Sequence, residues 1–69
     1  MINARLHILM GEKKIRSIRQ LSEETNITRL SLTKLYDGNA KGIEFETLNK
    51  LCRYFQCGVG DLLEFEDKE

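Results

Sequence analysis

Apolar side chains recur along this chain at intervals of three and four, the period of a helix buried on one face. Ile2, Leu6, Leu9 and Met10 form the first stripe and predict a helix from Ile2 to about Lys13, weakened near its end by Gly11. Leu21 and Thr25, one turn apart, mark a second short helix. It opens at Ser17, with Gln20 three residues later completing a capping-box start, and Ile15 and Ile18 beside the cap pin it to the first. Asn26 breaks the pattern; after glycine it is the residue most tolerant of the left-handed backbone that a sharp turn needs. Thr28 caps a third helix, whose Leu32 and Leu35 again repeat at helical spacing. Two short helices joined so tightly cross steeply and bury Leu21, Ile27, Leu32 and Leu35 between them. Thr28, Arg29, Leu30, Ser31, Thr33 and Lys34 are left pointing outward.

Asp37-Gly38 and Gly42 then signal a loop, in which Gly38 is suited to end the third helix in the left-handed region. Phe45, Leu48, Leu51, Cys52 and Phe55 predict a fourth helix from Phe45 to Phe55 with all five on its core face. Gly58 breaks the chain again. A fifth short helix is expected from Val59 to about Glu64, with Asp61 in its first turn, where an anion is favoured, and Val59, Leu62 and Leu63 closing the core. The pattern thus predicts an all-α, compact five-helix bundle over residues 1–65 and a frayed polar tail over residues 66–69.

Composition narrows this picture. A chain of 69 residues is one small domain, which buries only about 60% of its unfolded surface and is marginal unless a partner helps. The absence of proline and a charged fraction of 32% suit a helical fold. No apolar run approaches the ~18 residues of a membrane span and no signal-peptide pattern opens the chain, so no membrane partner and a cytoplasmic location are expected. Cys52 and Cys57 would lie too far apart to bridge on a continuous helix and are expected as buried, reduced thiols. With the lone His7 they supply too few ligands for a metal. No cofactor site is evident, and no Ser/His/Asp, Cys/His or paired-carboxylate constellation supports an enzyme.

Net charge is zero, which argues mildly against a nucleic-acid partner, but the charges are segregated. Residues 1–41 hold eight Lys/Arg against four acids, and residues 42–69 hold three against seven. The basic half contains the paired short helices, so a phosphate-binding face is possible on a neutral chain. Lys13, Lys14 and Arg16 read two ways: as cations on a negative helix terminus, or as phosphate contacts.

The order of these features resembles the Cro/C1-type (XRE-like) helix-turn-helix proteins, in particular their short single-domain members. Leu21 and Ser22 match the family's apolar and small residues on the first helix of the motif, Asn26 stands where the turn glycine belongs, and Ile27, Leu32 and Leu35 match its buried positions. The stretch from Tyr36 to Glu64 is similar to the family's loop, fourth helix and closing Asp-Leu-Leu helix, so the likeness covers nearly the whole chain. It implies a lambda-repressor-like fold and a transcriptional regulator, most simply a repressor, with double-stranded DNA as partner. The third helix would enter the major groove with Thr28, Arg29, Leu30, Ser31, Thr33 and Lys34 at base edges or phosphates. Arg29 is the candidate base reader, since a guanidinium matches guanine bidentately; Leu30 would touch a thymine methyl, where many relatives carry a polar residue. Ser17, Arg19, Lys14, Asn39 and Lys41 are the implied backbone contacts. The resemblance, with the apolar surplus at the C-terminal end, also implies a homodimer through Leu62, Leu63 and Phe65. The alternative function is a protein-interaction module or antitoxin on the same fold, for which the acidic half would suit a basic partner.

Overall fold

A computed structural model describes residues 2–67. Along it run β1 (Ile2–Ala4), α1 (Leu6–Glu12), α2 (Ile18–Thr25), α3 (Arg29–Asp37), α4 (Phe45–Phe55), α5 (Val59–Leu62) and β2 (Leu63–Phe65). The protein is therefore mostly helical, but not all-α. The expected first helix gives up its first turn to β1, and the expected fifth helix ends at Leu62 and passes into β2. The two strands pair antiparallel, Ile2 opposite Phe65, Asn3 opposite Glu64 and Ala4 opposite Leu63. The Arg5 N–H extends this tie by donating to the Leu62 carbonyl at 2.7 Å. Ile2 fits the helical stripe and an alternating strand equally; the distant partner strand decides between them.

Each helix contributes one leucine with no exposed surface: Leu6, Leu21, Leu32, Leu51 and Leu62. Leu9, Met10, Ile27, Leu35, Leu48 and Phe55 complete the buried core around them. Besides Ile2, which β1 carries out to 62% exposure, two residues expected inside are outside: Phe45 is 83% exposed and Val59 50%. Both occupy the first position of their helices. Side chains on a helix tilt toward its N-terminus, so a residue there projects past the packed stack. Of the polar tail, Glu66 accepts a hydrogen bond from the Asn3 amide; Lys68 and Glu69 lie outside the described residues.

Left-handed residues stop the first four helices, while α5 ends in the extended Leu63. Lys14, Asn26, Gly38 and Gln56 have φ of 58°, 62°, 78° and 53°. Gly58, expected to break the chain, has φ −88° and opens α5 instead, its N–H donating to the Asp61 carboxylate at 3.0 Å. The break belongs to Gln56.

Candidate nucleic-acid interface

The motif at residues 17–37 is built by its caps and its turn. Ser17 Oγ accepts the Gln20 N–H at 3.1 Å, while the Gln20 side chain reaches back to the Arg16 N–H at 3.2 Å, one residue before the expected one. Asn26 takes the left-handed conformation at the end of α2, its N–H donating to the Ser22 carbonyl at 2.8 Å. The Ser22 hydroxyl crosses the turn to the Ile27 carbonyl at 2.5 Å, and the buried Thr25 hydroxyl returns to the Leu21 carbonyl at 2.7 Å. These bonds satisfy polar groups that the turn removes from water, where an unpaired one costs about 1–3 kcal/mol. α3 starts at the cap formed by Thr28, whose Oγ1 accepts the Ser31 N–H at 3.3 Å and donates to the Ser31 hydroxyl at 2.9 Å.

This frame fixes the two faces of α3. Leu32 and Leu35 point into the core; Arg29, Leu30, Ser31, Thr33 and Lys34 are exposed. Leu30, at 67% exposure, sits on the outward face of this otherwise polar turn. Among the described residues Arg29 has no hydrogen-bond or ionic partner, so its guanidinium is available to a ligand.

The loop after α3 returns to the same helix. Asn39 and Ala40 N–H groups both donate to the Lys34 carbonyl, at 2.8 and 3.1 Å. A groove results between α3 and the first turn of α4, lined by Ser31, Lys34, Lys41, Glu44 and Thr47 among others. The fold thus brings Ser31, Lys34 and Lys41 to one groove and adds Thr47, which sequence reading passed over; its hydroxyl at the start of a helix behind a glycine-rich loop was the available signal. Glu44, at the N-cap of α4, makes no side-chain cap bond, so its carboxylate leaves the first N–H groups of α4 uncapped.

The remaining candidates lie elsewhere on the basic half. Ser17 and Arg19 are exposed at the start of α2, Arg19 in a weak i,i+4 pair with Glu23 at 3.5 Å. Lys14 is exposed in the left-handed link between α1 and α2. Its neighbour Lys13 is committed to the fold: its ammonium donates to the Tyr54 carbonyl at 2.7 Å and sits 4.6 Å from the centre of the Tyr54 ring. Glu24 accepts the Tyr54 hydroxyl and the Gln20 amide. These bonds, Tyr54's first, hold its carboxyl below the usual carboxylate range, and the carboxylate in turn pushes the Tyr54 hydroxyl up to about 12.

A tight pair of crossed helices, the second presenting an exposed, largely polar row over a buried apolar one, defines a helix-turn-helix DNA-binding domain. Comparison with known proteins agrees: residues 5–68 match the Cro/C1-type HTH DNA-binding domain. Over 64 residues, 93% of this chain and 75% of the other, the sequence is 34% identical to a Bacillus subtilis (strain 168) protein named as the HTH-type transcriptional regulator YozG. The chain belongs to the Cro/C1-type helix-turn-helix family and is a DNA-binding regulator. No helix among the described residues is long and apolar enough to cross a membrane.

Proposed function

We propose that the protein represses transcription by occupying a specific duplex operator, with the N-terminal turn of α3 inserted in the major groove. The observation that carries this reading is the free guanidinium of Arg29 at the exposed start of α3. From there it meets guanine O6 and N7 bidentately, while Leu30 covers a thymine methyl and Thr33 and Lys34 read one turn deeper. Thr28 and Ser31 cap the helix at the groove wall. Phosphates are held on one side by Lys41 and Asn39, and on the other by Ser17, Arg19 and Lys14. It represses by occupying its site and excluding other proteins from it, in the cytoplasm where that DNA resides.

The operator-bound form is a homodimer paired at its C-terminal end. Leu62 takes no part in that contact, because it has no exposed surface within its own chain. Leu63 is half-buried, so the pairing falls to Phe65, 67% exposed, with Ile2, 62% exposed, opposite it on the ribbon. Two copies of α3 would then sit about 34 Å apart and read half-sites about 10 bp between centres. Selection of bound duplexes from a random library tests the whole reading. A two-fold symmetric site with that spacing, occupied by two chains in sedimentation, is the expected result. Failure to bind even random duplex at low salt would leave the protein-interaction module or antitoxin reading, which the acidic C-terminal half favours.

A further inference from the structure

The C-terminal ends of α1 and α4 are closed by one device. After α1, Lys14 turns left-handed and the Ile15 N–H reaches back to the Met10 carbonyl at 2.8 Å. After α4, Gln56 turns left-handed and the Cys57 N–H reaches back to the Cys52 carbonyl at 3.0 Å. In such a six-residue closure an apolar contact between the side chains of the first and last residues is frequent. At α1 the pair is Met10 and Ile15. At α4 it is two thiols.

This turn removes the obstacle that a continuous helix would impose on the two cysteines. The Cys57 N–H to Cys52 carbonyl bond draws the two backbones together across the turn, toward the Cα separation of about 4.4–6.8 Å that a disulfide bridges. Both thiols are free and half-buried, so a small oxidant reaches them. Burial first, and then the neighbouring Cys52 sulfur, push the Cys57 thiol up.

We propose that Cys52 and Cys57 are a redox-modifiable dithiol, closed by peroxide to a disulfide within one chain. The Cys52 thiolate attacks one peroxide oxygen and the O–O bond breaks. Cys52 becomes a sulfenic acid, and the departing hydroxide takes up the Cys52 proton as the first water. The Cys57 sulfur then displaces the sulfenic hydroxyl, forming the S–S bond; its proton leaves with that hydroxyl as the second water. Two thiols lose two electrons and the peroxide gains them. An external dithiol reverses the step by exchange. The bond locks the Gln56 turn and so fixes the approach of α5 and β2 to the core. No residue assigned to DNA lies inside this closure, so the oxidised protein keeps its duplex affinity.

The test treats the native full chain with hydrogen peroxide, then alkylates and measures intact mass. The expected product has lost two hydrogen atoms, takes up no alkylating agent, runs as a single chain without reductant and is restored by dithiothreitol. Cys57→Ser should stop at a Cys52 sulfenic acid that dimedone traps. In urea, closure should be slower by at least about tenfold, since the fold otherwise holds the thiols in place. Sulfinic acids on both thiols with no loss of two hydrogens, a bond between chains, or equal closure rates with and without urea would each overturn the proposal.

Discussion

The Tyr54 hydroxyl donates to the Glu24 carboxylate and so ties the last turn of α4 to the last turn of α2. Lys13, over the same ring and bonded to the Tyr54 carbonyl, adds the end of α1. Three helix ends therefore meet on one aromatic residue, 30 positions in sequence from its carboxylate partner. The bond needs Glu24 ionised and Tyr54 protonated. Glu24, held below its ordinary value, contributes stability above the usual carboxylate range and loses it as pH falls through its lowered value. Tyr54, pushed up to about 12, contributes fully below its ordinary value of about 10 and loses this as pH rises from there. Tyr54→Phe should thus unfold at lower urea than wild type between about pH 5 and pH 9, and the gap should narrow on both sides. A gap independent of pH would assign the loss to ring packing instead.

Asn26 and Gln56 make opposite predictions at equivalent backbone. Both are left-handed helix stops, at φ 62° and 53°. Asn tolerates that region through its short polar side chain and Gln does not. Asn26→Gly should therefore change stability little and Asn26→Ala should cost about 1 kcal/mol, whereas Gln56→Gly should gain about 0.5–1 kcal/mol. Chemical denaturation of the three variants decides the matter; an Asn26→Ala protein as stable as wild type contradicts the role given to the turn.

Base reading and phosphate holding are separable. Arg29→Ala should cost about 1–3 kcal/mol on the selected operator and relax preference at one base position. Lys41→Ala or Lys14→Ala should weaken selected and scrambled duplexes alike and lower the salt slope by about 1. Affinities across a salt series distinguish the two behaviours. Equal losses on both duplexes for Arg29→Ala would make it a phosphate clamp and pass base reading to Leu30, Thr33 and Lys34.

Two apolar residues with the same helical spacing should differ sharply in stability. Leu51 has no exposed surface and sits among the core leucines, so Leu51→Ala should cost roughly 2–5 kcal/mol. Phe45, 83% exposed at the start of the same helix, should lose no more than about 0.5 kcal/mol on truncation to alanine. Urea midpoints of the two variants, measured side by side, check this; a comparable loss at Phe45 would mean that its ring is covered by a contact beyond the single chain.

What the sequence determined by itself is local. The period of Leu21, Leu32, Leu35, Leu48, Leu51 and Phe55, the caps at Ser17 and Thr28, and the turn at Asn26 each rest on neighbours within one or two helical turns, and the helices from α2 to α4 followed from them. So did the outward row of α3, because its buried side was already marked. Tertiary structure decided the features that join distant positions. Three-residue alternation in Ile2–Ala4 and Leu63–Phe65 is too short to outweigh a helical stripe until each strand has the other as its hydrogen-bonding partner. Phe45 and Val59 carry the right period and still miss the core, because their helices begin where the stack ends. Lys13 reads as a helix-end cation or a phosphate contact, and nothing near Glu24 in sequence signals its partner, until the fold brings Tyr54 between them. Cys52 and Cys57 read as separated thiols until the left-handed turn at Gln56, a residue with no special preference for it, folds one back beside the other.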